Sequence, residues 1–313
     1  MHPVIPHHRG LVLNRLLLLL GLLLALTQFV LLPVLLLPQQ PAWGWCLLVP
    51  VLFTNTGWAL LHESMHGVLL SGRRANRLAG RALAIAYGAA FDLLRWGHLL
   101  HHALNRTRRE RSEVYVAGRD PKLWFTLNYY FRLSGGLYLY EVLGSLIFLL
   151  PRPAIRWWER RLARADNVVA ALTDKLLHPP TLRAVRQDAA LALTLYAAAF
   201  ALYGGHAWML ALALAARAFL ISVVDNVFHY GTPLDDIRYA RNLHLPPWLA
   251  VALLHFNLHG AHHLRPGLAW WQLPAFHRAS GLGYQGNWWP ALIAQFRGPI
   301  PEHRLLPTKG GRI

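Results

Sequence analysis

Between Arg9 and Gln39 the chain carries a single charge, Arg15, and residues 16–37 read LLLLLGLLLALTQFVLLPVLLL. A helix of that composition has no polar face to offer water. It is long enough to cross a bilayer, which takes ~20 mostly apolar residues at 1.5 Å rise each. The run is too long for a removable signal segment and lacks a small-residue cleavage pattern. The rest of the chain agrees: 55% of the 313 residues are hydrophobic and 14% charged. Soluble domains are about a quarter charged, so these proportions exclude a disordered chain and argue against an ordinary soluble domain.

The expected fold class is all-α, a multi-pass membrane helix bundle of about four spans with a cytoplasmic helical cap. The spans are predicted at 11–37, 43–61, 189–203 and 206–224, with turns at Pro38–Pro41 and at Gly204-Gly205. Those two turns contain no Lys or Arg, whereas residues 103–187 contain fifteen. The positive-inside bias therefore puts the long connecting segment, and with it both termini, in the cytoplasm. Segments 76–97, 129–150 and 152–188 are expected to lie in or along the interface. In 129–150, Gly135-Gly136 and Glu141 interrupt an otherwise apolar run, which suits an in-plane or re-entrant helix. The whole of 1–313 reads as one membrane-bound domain. A formal net charge of +17 fits a basic cytoplasmic face and calls for no nucleic acid partner. A lone cysteine, Cys46, excludes an internal disulfide and any cysteine-held metal cluster.

The eighteen histidines are not scattered. His62-Glu63-Ser64-Met65-His66 closes the second span, His98-Leu99-Leu100-His101-His102 follows it, and His259-Gly260-Ala261-His262-His263 lies beyond the last span. Positions i, i+3 and i+4 share one helix face, so each HxxHH aims three imidazoles one way. A shuffled chain with this histidine content would contain HxxHH about 0.06 times, against two here. His229, in Asp225-Asn226-Val227-Phe228-His229, makes a ninth on the same side of the membrane. Nine imidazoles exceed the six ligands one ion takes, so two metals are implied. The residues leave the metal open, since a redox-inert pair would suit hydrolysis and a di-iron pair oxygen chemistry.

The order HxxxH, HxxHH, HxxHH, with two spans before and two between, resembles the integral-membrane fatty acid desaturase superfamily, which also includes alkane hydroxylases. The likeness runs from about Trp43 to Pro274. It includes Asp225–Pro233 (DNVFHYGTP), similar to the extra histidine box of bacterial members, and Leu258–Pro274 (LHGAHHLRPGLAWWQLP), similar to the third box. The resemblance implies that His62, His66, His98, His101, His102, His229, His259, His262 and His263 hold two iron ions. It also implies O2 as co-substrate, a lipid or fatty acyl substrate, and location in a bacterial inner membrane. Related acyl-CoA desaturases carry Asn four residues before the extra histidine; here that residue is Asp225 and Asn226 is three before. Asp225, Asn226, Glu63 and His255 are expected behind the ligands, orienting an imidazole or a water. Desaturation is the expected outcome, with hydroxylation and oxidative decarboxylation to a terminal alkene as alternatives on the same centre. Electrons would come from a separate ferredoxin- or cytochrome-like donor, for which the basic run Arg106, Arg108, Arg109, Arg111 and Arg152–Arg164 is a candidate dock.

Two rival classes remain. His62–His66 also matches HExxH, the zinc-protease helix with Glu as general base, although that reading leaves seven aligned histidines unused. A metal transporter would place its ligands near mid-membrane rather than at one surface. Trp58, Trp96, Trp270 and Trp271 are candidates to line an acyl tunnel.

Overall fold

The structure, a computed structural model, describes residues 7–305. The expected cytoplasmic placement of the termini therefore concerns residues that lie in part outside the described range. Among the described residues nearly all regular structure is helical; the exception is a two-residue parallel pair, β1 (Val114–Tyr115) against β2 (Ile300–Pro301).

Helix α1 (His7–Leu26) runs on as a π-helical stretch, Thr27–Leu36. Pro33 lies within that stretch; with no N–H and a ring that crowds the preceding turn, it favours a widened helix there. The second apolar run is bent by 41° between Pro41–Leu52 and α3 (Thr54–His66), with α2 (Leu48–Leu52) just before the bend. Pro50 in α2 removes a helical hydrogen bond, and proline is the common cause of so sharp a kink.

Pro179–Asn226 is long and apolar enough to cross a membrane, but it is not one straight rod. In α10 (Pro179–Tyr203) the Tyr196 hydroxyl is 3.0 Å from Nη1 of Arg217 in α11 (Ala207–Asn226). A straight helix would separate positions 21 residues apart by about 31 Å. The chain must reverse at Gly204–His206, giving the hairpin expected from the glycine pair. Helix α10 starts earlier than expected, at Pro179, so 179–188 belongs to it rather than to an interfacial segment. Asp188 is buried there and accepts from Arg81 Nε at 2.7 Å.

Segment 76–97 is also different from the single surface helix expected. It is a helical hairpin, α4 (Arg73–Tyr87) and α5 (Phe91–Leu104), turning at Gly88 with φ 109°. The tip is buried, and side chains of other helices satisfy its backbone. Tyr196 and Arg217 donate to the Ala86 carbonyl at 2.9 and 3.2 Å. Tyr138 donates to the Tyr87 carbonyl at 2.6 Å. The amides of Ala90 and Phe91 donate to Ser145 Oγ and Asp188 Oδ2 at 2.9 and 3.2 Å. Such helix-end groups need partners when water is excluded. A Cβ at Gly88 would come within 3.2 Å of both tyrosine side chains.

The interruption expected in 129–150 is real. Helix α6 (Lys122–Phe131) and α7 (Leu137–Ile147) meet at a break where Gly135 has φ 120° and packs against α11 at Ala218. Segment 152–188 divides into α8 (Arg152–Leu162), α9 (Val169–Leu176) and the start of α10. Beyond α11 come short helices only: α12 (Pro247–Ala252), α13 (His259–Leu264), α14 (Leu273–Ala279) and α15 (Trp288–Ala294). The main apolar core lies among α3, α4, α5 and α10, with Trp58, Leu61, Leu83 and Phe91 at its centre. This core is what fixes α3 and α5 beside each other.

Candidate metal centre

Two turns of α3 carry His62 and His66, and the helix stops one residue later at Gly67, whose φ of 81° suits a left-handed cap. The last two turns of α5 carry His98, His101 and His102. His229 follows α11, and α13 supplies His259, His262 and His263. Helix α13 lies close against the strand-like segment before α12. A Cβ at Gly260 would stand 2.4 Å from the Ala240 carbonyl, and the Ala261 amide donates to Asn242 Oδ1 at 2.9 Å. Glycine is therefore needed inside this HxxHH.

The nine imidazoles converge as two groups, His62, His66, His98, His102 and His262 in one, and His101, His229, His259 and His263 in the other. Within each group the nitrogens lie within 4.8 Å of one another, close enough to hold an ion. Facing Nε2 atoms are closer still: His66–His98 at 2.8 Å, His98–His102 and His102–His262 at 3.0 Å, His229–His259 at 3.1 Å, and His101–His263 and His259–His263 at 3.2 Å. Two nitrogens held about 2.1 Å from one ion at right angles stand about 3 Å apart. His62 Nε2 is buried and has no protein partner. A donor set made wholly of converging imidazoles suits a first-row transition metal, so the residues fit a metal pair.

Burial pushes the pKa of His98, His229, His259, His262 and His263 well down, and neighbouring imidazoles push in the same direction. His102 is pushed down to about 2, chiefly by burial. All are thus neutral near pH 7, the form that ligates. His101 is the exception. Burial works against its protonation, but the Glu110 carboxylate, 3.1 Å from Nδ1, leaves its pKa raised. The Ile237 carbonyl favours the protonated form of His263, against the lowering by burial. Asn105 lies 3.5 Å from His263 Nδ1 and donates to the carbonyls of Ile237 and Tyr239.

Glu110 and Asn105 were not anticipated. Glu110 sits in the run Arg106–Arg111, which reads as a plain basic stretch. Arg106 has φ 64° and turns the chain back after α5, bringing Glu110 to His101. Two of the residues expected behind the ligands, Glu63 and Asn226, are hydrogen-bonded to other parts of the chain. Glu63 is buried and its Oε2 accepts from the Trp270 amide at 3.1 Å. Asn226 donates to Gln295 Oε1 at 2.8 Å. The His255 ring lies 5.8 Å from that of Trp270. Asp225 makes no hydrogen bond to an imidazole and acts on His101 only through space.

Two members of the expected docking surface are also placed differently. Arg106 is buried against Glu113 at 2.7 Å, and Arg111 against Glu302 at 2.7 Å. Both charges are used internally, where their desolvation is offset by a partner; Arg108 and Arg109 remain exposed. Trp270 and Trp271 are buried against α1, with Trp270 Nε1 donating to Asn14 at 2.9 Å and Trp271 packed on Gly10.

No curated protein and no solved structure matches the chain. The sequence model of the fatty acid desaturase family matches residues 39–289, a range that contains all nine converging histidines and most of the helices around them. The chain belongs to the fatty acid desaturase family, membrane oxidoreductases of the desaturase and hydroxylase superfamily that act on lipid acyl substrates.

Proposed function

We propose that this protein is an O2-dependent, non-haem di-iron fatty acid desaturase, and that residues 1–313 work as one membrane domain. The observation that carries the reading is the division of the nine histidines into groups of five and four. One iron would be held by His62, His66, His98, His102 and His262, the other by His101, His229, His259 and His263. A bound iron pair would supply the two-electron activation of O2 needed to attack an unactivated C–H bond.

The protein's own groups do the rest. Apart from His101, whose pKa Glu110 raises, the neutral imidazoles present lone pairs without first losing protons. Glu110 would hold His101 in a fixed tautomer and orientation, and Asn105 stands behind His263 Nδ1, as partners behind metal ligands commonly do. Ala59, Leu254, Phe256, Trp270 and Leu273, together with the Glu63 carboxyl, line the narrow cavity beside His62, His259 and His262. Electrons would come from a separate ferredoxin- or cytochrome-like donor on the cytoplasmic side, in a bacterial inner membrane. Exposed arginines such as Arg108 and Arg109 offer such a donor a positive surface.

The test is expression with a reducing partner, followed by iron analysis and gas chromatography–mass spectrometry of lipids and volatiles. Two irons per chain and a new double bond are expected. A hydroxy acid or a volatile terminal alkene would keep the centre and change the outcome assigned to it. One zinc and no oxidised lipid would overturn the reading.

A further inference from the structure

The last 65 residues before Glu302 do not look like a cap that faces water. From Ile237 to Pro301 there is no Asp, Glu or Lys, and the charges are five arginines: Arg238, Arg241, Arg265, Arg278 and Arg297. None of the helices in this region is long enough to span a membrane. Yet α12 and α15 turn large apolar side chains outward, with Trp248 at 72% exposure, Ile293 at 66% and Trp289 at 55%. Helix α6 likewise turns Trp124 and Leu127 outward. The three helices are joined: α12 and α15 share a core with Val224, Val227 and Phe228, and Tyr129 of α6 donates to the Gln295 carbonyl at 2.6 Å.

Hydrogen bonds set the depth of this surface against the spans. Helix α11 has 20 residues, about 30 Å, the thickness of a hydrocarbon core. Gln295, directly after α15, donates to the carbonyl of Val223, three residues or about 4.5 Å inside the end of α11. Thr56 of α3 donates to the Ala252 carbonyl at the end of α12, at 2.7 Å. Thr56 lies five residues before residue 61, the expected end of that span, about 7.5 Å along its axis. The exposed faces of α12 and α15 therefore continue the outer surface of the spans. A patch of this kind needs an apolar partner.

We infer that α6, α12 and α15 are seated in the lipid bilayer, in the leaflet on the histidine side, as a non-spanning apron around the end of α11. The occupant of the surface is lipid. The apolar faces meet acyl chains, and exposed arginines at the edges of charge-free stretches, such as Arg265 and Arg297, meet anionic headgroups. Tryptophan at the rim is the usual residue for that boundary. The histidine cluster is then flanked by lipid, not by cytosol, on its C-terminal side.

The full chain in vesicles of phosphatidylcholine and phosphatidylglycerol tests this, with Cys46 replaced by alanine and one nitroxide label at a time. Labels at Trp248→Cys and Ile293→Cys are compared with Leu19→Cys, on the outer face of α1, and with Arg108→Cys, an exposed cap position. Collision with dissolved oxygen and with a water-soluble nickel chelate is measured by electron paramagnetic resonance power saturation. Both test positions should follow Leu19→Cys, meeting oxygen several-fold more readily than nickel. Following Arg108→Cys would overturn the inference, and so would protection from both reagents, which would mean that protein covers the surface. Both side chains are exposed, so replacing them removes little packing. The readout is depth and not turnover, so it stands or fails independently of the proposed reaction.

Discussion

Two polar interiors sit at opposite ends of α5, and they are built on opposite rules. At its start, the tip of the α4–α5 hairpin matches donors with acceptors: Arg217 and Tyr196 on the Ala86 carbonyl, Tyr138 on the Tyr87 carbonyl, Ser145 and Asp188 on two amides. Arg217 completes its set with Gln28 Oε1 at 3.0 Å. At its end, nine imidazoles aim nitrogens at one another without matching. His62 Nε2 has no protein partner, and neighbouring Nε2 atoms stand 2.8 to 3.2 Å apart. Burying unmatched polar groups is costly, and a shared cation removes the cost. A matched interior reads as structure, and a converging set of unmatched imidazoles reads as a ligand set.

The contrast predicts its largest effect at the histidines. His262→Ala should lower turnover by more than ~10²-fold, beyond the usual loss for a group behind a ligand. Bound iron should fall from two per chain toward one. His263→Ala should do the same through the other group. Plasma emission spectrometry of the purified variants checks the count. Retention of both irons with normal turnover would break the comparison.

Glu110→Gln comes next. The carboxylate touches His101 Nδ1 and no metal-facing nitrogen, so the expected loss is in the range ~10- to 100-fold in iron affinity or turnover. Iron titration of the purified variant measures it. Glu110→Asp should recover part of the loss if orientation is what the carboxylate supplies.

How far these two interiors were legible in the sequence differs for a physical reason. Histidine spacing on a helix encodes the direction of the ligands, so HxxHH at 98–102 and 259–263 announces its geometry without knowledge of the fold. The hairpin tip has no such local code. Its partners come from α7, α10 and α11, and Gly88-Ala89-Ala90 reads as the middle of one amphipathic helix until Tyr138, Tyr196 and Arg217 are seen around it. Arg106 and Arg111 fail to announce themselves for the same cause. A run of arginines looks solvated, and only the distant Glu113 and Glu302 pairings turn two of them inward. Glu110 was hidden inside that run.

Arg217→Met probes the matched interior. It leaves the buried Gln28 Oε1 without its donor, at a cost of about 1–3 kcal/mol. Arg217 lies twelve residues before His229, roughly 18 Å along a helix, so iron content should stay at two per chain while thermal stability falls. Loss of iron at unchanged stability would erase the distinction between the interiors. Glu141, also at the tip, accepts from the Tyr87 hydroxyl, and burial pushes its pKa up to about 8. Its folded value lies above the ordinary carboxylic acid value of 4.5, so the folded state holds an extra proton between pH 4.5 and about 8. Stability should therefore fall as pH rises through that window, and Glu141→Gln should remove this part of the slope. Denaturation midpoints of both proteins at pH 5, 7 and 8.5 test it.

The smallest effect is expected at Glu63, which stands between two ligand histidines in sequence yet belongs to the matched kind of interior. Its Oε2 accepts from the Trp270 amide at 3.1 Å, tying α3 to the segment after α13. In Glu63→Gln the amide oxygen keeps that bond, and only the new NH2 group needs a place. Turnover should stay within a few-fold of the parent, and iron should stay at two per chain. In a zinc protease built on HExxH the same carboxylate is the general base, whose removal costs 10²–10⁴-fold. The one substitution thus separates the two enzyme classes. A loss beyond ~10²-fold would move Glu63 from the scaffold into the reacting centre, and adjacency to His62 would then outweigh the pairing with Trp270.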